Sequence, residues 1–441
     1  MAFNLIRNSR VFYTSNVDAA GKVKTANFTK ANTREIQVLE GFSFSQNTTS
    51  ETVTLNEAGA APVRGQRSFN TALDPADFSF TTYMRPQDGG TNITAEEAVL
   101  WNAMFSATEY GTTNTPITAG SFVPGTKYTI TALTDGSGGA ATSFTTIGAS
   151  ANTVGVVFTA TGAGTGTGTA TQVPAQAWTD GTSSAICTVT NSDKHQLLPF
   201  GMIIVVDSTT FVIDNCVLNT ATIDFGLDAI ASIQWAGQGG TLRQITSPGI
   251  ASGTVSAGGS FSGSLTGVFL QKVTSAPYIA NKLSVVTLDA GIGLGVGTNY
   301  TVPITGGSLT ISNNVTYLTP ANLATVNKPI TYFTSTRAIS GSLNAYLRTG
   351  TGYTADLLDT MLADSATAVA PAYAMKISVG GTGTTKVDFT MPAVVLTIPT
   401  INAEQVVSTT INFTAQGYTG TSFDIGSANE LSITYTTTNA V

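Results

Sequence analysis

One histidine, two cysteines and 26 scattered carboxylates are nearly all that this chain of 441 residues offers for side-chain chemistry. His195 sits in the run Ser-Asp-Lys-His-Gln-Leu-Leu. A single imidazole with no second ligand nearby builds no zinc site, and with no nucleophile beside it has no general-base role to fill. The glycine run at 162–168 superficially matches a phosphate-cradling loop, but no apolar helix opens after it and no Lys-Ser/Thr follows. It reads instead as a flexible Gly/Thr link. The alternating glycines at 291–297 read as a weakened strand or turn. Asp224 and Asp228 flank a turn without a partner set, and the Asn-x-Thr triplets at Asn27, Asn47 and Asn412 are what a Thr/Asn-rich chain yields by chance. Cys187 and Cys216 fall on strand-like segments, Cys216 reading as a small hydrophobe because it aligns with Val394, with a disulfide as the lesser alternative and a metal site more remote still. The residue types point to no active site, no metal and no cofactor.

Composition narrows the alternatives. Only 10% of residues are charged, against about 25% in an ordinary soluble protein, while 42% are hydrophobic. Thr, Ser, Asn, Gly and Ala have taken the place of the ions. Such a surface desolvates cheaply, because burying a hydroxyl costs less than burying a charge, and it suits equally a protein largely covered by copies of itself and a Thr-rich extracellular β-protein. Net charge is −7 and no basic run occurs, which argues against a grip on nucleic acid through its phosphates. Weak negative charge does let DNA pass nearby without sticking. No apolar run approaches the 18 or so residues of a membrane span, and the first residues lack the apolar core of a secretory signal.

The elements that position these residues are mostly strands. Period-two apolar alternation rich in Thr and Val, punctuated by Gly and Asn, predicts a mainly β chain. Much of the pattern occurs twice. Residues 216–239 lie ungapped over 394–417 at a shift of 178, with seven identities in 24 positions, where composition alone gives roughly two. Residues 79–85 meet 342–348, and 100–107 meet 357–364, in the same order. Each half contains one predicted helix. The first covers 93–106, capped by Thr94 and amphipathic through Val99, Leu100, Ala103 and Met104. The second starts at Thr354 with Asp356 in its first turn and a stripe of Leu357, Leu358, Met361 and Leu362. A long projecting hairpin is expected where Phe42 and Phe44 alternate with Ser43 and Ser45, residues 46–50 forming a polar tip and Val53 and Leu55 the return. Residues 308–318 echo it.

The segment Glu-Ile-Gln-Val-Leu-Glu-Gly-Phe at 35–42 and the run Arg-Gly-Gln-Arg-Ser-Phe-Asn at 64–70, with 79–86, resemble the tail tube proteins of tailed bacteriophages. The stretch 118–173, with Tyr128-Thr129-Ile130 and Phe158-Thr159-Ala160, is similar to a small β-module found in phage structural proteins. The resemblance implies two tandem β-sandwich or barrel-type tube domains, each with one flanking helix, plus the small β insert. The expected division is 1–117 with 174–250, an insert at 118–173, a joint at 251–275 and a second domain at 276–441. It further implies stacked rings, here of three chains with pseudo-sixfold symmetry, assembled into a virion tail made in the host cytoplasm. The expected partners are other copies of the chain, other tail proteins with a sheath among the candidates, and DNA passing through the lumen without specific binding. By the same resemblance Phe42, Phe44, Gln46, Asn47, Thr48, Thr49, Glu51 and Val53 are candidates for contact between rings. Arg64, Arg67 and Arg85 are candidates for pairing with carboxylates of neighbouring chains or, equally, within their own. Another phage surface β-protein, such as a fibre, decoration protein or adhesin, is the competing class.

Overall fold

The computed structural model describes residues 9–24, 28, 32–53, 66–88, 92–110, 116–124, 127–173, 176–189, 197–206, 209–227, 229–245, 254–256, 262–264, 278–291, 297, 299–323, 326–367, 372–381, 385–399, 401–402, 407–418 and 429–437. The first half begins with β1 (Ser9–Thr14), β2 (Thr33–Ile36), β3 (Ser43–Ser45), β4 (Thr48–Val53), β5 (Arg67–Leu73), β6 (Ala76–Tyr83), β7 (Pro86–Asp88), β8 (Ile93–Ala95) and α1 (Ala98–Phe105). Next come β9 (Ile117–Thr118), β10 (Lys127–Ala132), β11 (Val157–Thr159) and β12 (Thr169–Val173), then β13 (Trp178–Thr179), β14 (Ala185–Thr188), β15 (Phe200–Val206), β16 (Thr209–Asp224), β17 (Ser232–Gly239) and β18 (Thr241–Ile245). A short ladder, β19 (Thr254–Ser256) with β20 (Ser262–Ser264), lies in the Gly/Ser-rich stretch where a joint is expected, most of which is outside the described residues. The second half holds β21 (Val285–Ala290), β22 (Asn299–Val302), β23 (Ile304–Ser312), β24 (Val315–Leu318), β25 (Thr331–Thr334), β26 (Ala338–Tyr346), α2 (Thr354–Thr367), β27 (Tyr373–Val379), β28 (Lys386–Leu396), β29 (Ile401–Asn402), β30 (Ser408–Ala415) and β31 (Ser432–Thr436).

The molecule is mainly β, and its named ladders are antiparallel. One ladder of eight strands runs β3–β6–β17–β16–β23–β26–β30–β29. Strands β16 and β28 are long because each serves two sheets. The first part of β16 pairs with β15 and β18, and its last part with β17 and β23. The change occurs beside Asn215, whose φ of 52° is left-handed, and a bulge at Leu218/Thr220. In β28 the change falls at Pro392, which cannot donate to a ladder. Alternate residues of these strands meet in one apolar core that includes Phe78, Trp101, Trp235, Leu309, Ile411 and Phe389.

Several sequence expectations need correction. Helix α1 starts at Ala98, not 93, because Ile93–Ala95 is a strand paired with β7 and the Ile93 N–H is bonded to Gly181 O. It is not amphipathic: all eight of its residues are buried, since β13, β14 and β16 close round it. In α2 the expected stripe narrows to Leu357 and Met361, with Leu362 exposed. The hairpin is displaced. Its arms are β4 and β5, paired from Thr48↔Leu73 to Val53↔Arg67, so residues 46–50 stand at the base rather than the tip. Residues 308–318 likewise split, β24 pairing forward with β25. The Gly/Thr run at 162–168 is not a linker. It connects β11 to β12 within the four-stranded sheet β11–β10–β12–β9 and is tied to its neighbours: Ala163 O accepts the Gly120 N–H, the Gly168 N–H donates to Thr142 Oγ1, and Gly166 sits at φ 104°. That sheet has its own core of Phe122, Tyr128, Phe144 and Phe158.

Candidate functional site

The eight-stranded ladder has one face toward the core and one away from it. Pointing away are Ser43 and Ser45 of β3, Asp77, Ser79 and Thr81 of β6, Gln234, Ala236 and Gln238 of β17, and Thr220, Thr222 and Asp224 of β16. The second half continues the row with Ser308, Thr310 and Ser312 of β23, Ser340, Ser342 and Asn344 of β26, and Ser408, Thr410, Asn412 and Thr414 of β30. Among these positions there is no lysine or arginine, and Asp77 and Asp224 are the carboxylates. Hydroxyls and amides link across strands: Ser43 with Ser79 at 2.8 Å, Thr410 Oγ1 to Asn344 Oδ1 at 2.9 Å, Gln238 Nε2 to Asp77 Oδ1 at 3.0 Å. Period-two alternation dictates this surface, because every inward Phe, Ile or Leu forces its neighbours outward. A shallow groove of about 260 Å³ crosses it, lined by Ser43, Ser45, Asp77, Phe78, Ser79, Asn219, Ala236, Gly237 and Gln238. No group of three metal-ligating side chains occurs among the described residues. His195 lies outside them.

The residues singled out in the sequence separate by burial and by partner. Phe42 and Phe44 are half-buried against the core, and the Phe44 ring meets Phe211 at 5.2 Å. Gln46 is an anchor: its Nε2 donates to Asp74 O at 2.8 Å and Gly240 O at 3.1 Å, and its Oε1 accepts the Leu242 N–H at 2.8 Å. Asn47 is exposed beside it, its carbonyl accepting from the Asp74 N–H. Thr48, Thr49, Glu51 and Val53 are exposed on β4, and Arg67 lies over Phe69 on β5 at 4.8 Å. Arg64 is outside the described residues. Arg85 is 2% exposed and pairs within its own chain, to Glu96 at 2.6 Å and Gln37 Oε1 at 2.8 Å.

Sequence reasoning missed the junction between the halves. Trp101 of α1 packs edge-on against Trp235 at 4.8 Å and Phe389 at 6.5 Å, and its Nε1–H donates to Tyr435 Oη at 2.8 Å. Tyr435 Oη donates in turn to Glu97 Oε1 at 2.7 Å. Burial pushes the Glu97 carboxyl up to about 7, against the opposing pull of the Tyr435 hydrogen bond. Strand β31, carrying Tyr435, is also paired with β14 of the first half. Nothing in the local pattern around 435 signals a partner some 330 residues away.

No family model matches the chain. It is 26% identical over 427 residues to tail tube protein pb6 of Escherichia phage T5, an alignment covering 94% of this chain and 73% of that protein.

Proposed function

We propose that this chain is a structural protein of a bacteriophage tail tube, acting through its surfaces rather than through catalysis. The observation that carries the reading is the polar, cation-free face of the eight-stranded ladder, joined to similarity with a tail tube protein along nearly the whole chain. A tube that delivers DNA needs a wall that phosphates neither grip nor penetrate. Lysine and arginine would release counterions and hold the polymer, whereas hydroxyls, amides and two carboxylates would not. Three copies would close a ring of about 24 strands, ~115 Å around at ~4.8 Å per strand and ~37 Å across, widened further by strand tilt. That leaves room for a duplex inside the side chains.

In this reading 1–117 with 174–250 and 276–441 are two tube-type units joined through 251–275, and 118–173 is a module carried on the outside. The exposed hairpin β4–β5, bearing Thr48, Thr49, Glu51, Val53 and Arg67, contacts the next ring in the stack. Phe42, Phe44 and Gln46 support it from within the chain. Other copies, other tail proteins and, in a contractile tail, a sheath are the partners, and the virion tail is the location. Negative-stain microscopy of the purified chain tests the proposal. Rings or stacked tubes with a central hole are expected, and compact monomers or slender fibres would overturn it.

A further inference from the structure

The ladder β3–β6–β17–β16 and the ladder β23–β26–β30–β28 can be superposed row by row. Across the first, Phe44, Phe78, Gly237 and Leu218 stand opposite one another. Across the second, the row is Leu309, Gly341, Phe413 and Leu396. The glycine and the aromatic have changed strands. A Cβ on Gly237 would meet the Phe78 ring at 2.5 Å, and a Cβ on Gly341 would meet the Phe413 ring at 2.6 Å. The same space is filled from opposite sides, which fixes the equivalence of the rows. It also shows that the ungapped overlay at 178 slips. Strand β30 is equivalent to β17 at a shift of 176, because the turn before it is two residues shorter.

Within the chain the two ladders join through β16 and β23, with Asp224 opposite Ser308, Ile223 opposite Leu309 and Thr222 opposite Thr310. Ile223 and Leu309 are both 0% exposed. Their equivalents at the outer edges are Ile401 and Phe44. Strand β29 pairs with β30 alone and β3 with β6 alone among the described ladders. Ile401 is accordingly 47% exposed. Helix positions repeat the contrast. Phe105 of α1 is buried at the junction, while Leu362, at the matching place in α2, is 49% exposed. An open strand edge carrying an apolar side chain invites pairing, and the chain already contains the pairing such edges make.

We infer that β29 of one copy adds to β3 of a second copy in the register held inside the chain, with Asn402 opposite Ser43 and Ile401 opposite Phe44. The joint is head to tail, so it closes a ring where the rotation permits. Ser43 and Ser45 carry the polar face across it. The inference rests on the tube reading for ring closure, but its register comes from the intrachain joint.

Paired cysteines test it in the full chain. Directly opposite residues bring Cα atoms within ~4.5–5.5 Å, inside the disulfide range, whereas diagonal ones stand ~7–8 Å apart. The native Cys187 and Cys216 are buried and free, so they stay out of the reaction. Oxidation of assembled Ser43→Cys/Asn402→Cys should give covalent oligomers on non-reducing gels up to one closed ring size. Ser45→Cys/Asn402→Cys should lose that ladder of bands. If the first pair does not assemble, Phe44→Cys/Ile401→Cys is the second pair in register. Rings that form without the expected cross-link, or with equal cross-linking of the diagonal pair, overturn the register while leaving the tube reading intact. A parent chain that forms no rings overturns the tube reading itself.

Discussion

Glu97 makes the joint between the halves sensitive to pH, and the sign follows from its burial. The carboxyl lies at the start of α1, fully enclosed, accepting a hydrogen bond from Tyr435 of β31. Its ordinary value of 4.5 is raised to about 7. A raised folded-state value means that the protonated form is favoured in the folded chain. The resulting stabilisation is fully present below about pH 4.5 and is lost as pH rises through about 7. At ~1.4 kcal/mol per pH unit, the displacement from 4.5 to about 7 is worth ~3–4 kcal/mol between those limits. Glu97→Gln keeps an oxygen acceptor for Tyr435 and removes the titration. Urea unfolding at fixed protein concentration, at pH 5, 6, 7 and 8, measures the difference between parent and variant. The variant should gain on the parent steadily toward pH 7 and hold its advantage above it. Glu96, also raised by burial, is present in both proteins, and its charge is one of the lesser causes of the Glu97 rise. Parallel pH profiles for the two proteins would refute the reasoning.

Trp101→Ala should cost ~3–5 kcal/mol in denaturant unfolding, since the ring is enclosed by Trp235, Phe389 and Tyr435. Arg85→Ala should lower stability by ~3–5 kcal/mol because it leaves Glu96 charged and unpaired inside the protein, and adding Glu96→Gln should recover much of the loss. Arg67→Ala, on an exposed hairpin strand, should change unfolding by under ~0.5 kcal/mol while shortening the tubes seen by microscopy. Ser79→Lys with Ser342→Lys places two cations on the polar face. Tubes should still form, but they should retain duplex DNA in a gel-shift assay and release it as salt rises.

Legibility in the sequence followed the range of the interaction. Alternation in Phe42–Ser45 and in 308–311 showed which side chains face inward, yet it placed the hairpin tip at 46–50. The actual base is set by the Gln46 amide, which satisfies backbone groups of Gly240 and Leu242 nearly 200 residues on. The helix at Thr354 was readable because its start is local, Asp356 Oδ2 accepting the Gly352 N–H. That of α1 was not, because Ile93–Ala95 was claimed by a strand partner and the helix by its burial.

Composition and period two by themselves determined a mainly β chain, poor in charge, with a duplicated pattern, while the segments at 35–42, 64–70 and 79–86 carried the resemblance to tail tube proteins. Only the tertiary structure decided which edges meet. A strand's sequence fixes the faces of its side chains, but its partner and register depend on turn lengths and on volumes supplied from elsewhere. Letter matching set Ile233 over Ile411 and Gly239 over Gly417. The exchanged pairs Phe78/Gly237 and Gly341/Phe413 place these strands two residues apart instead, because packing conserves occupied volume across a sheet rather than identity along a strand.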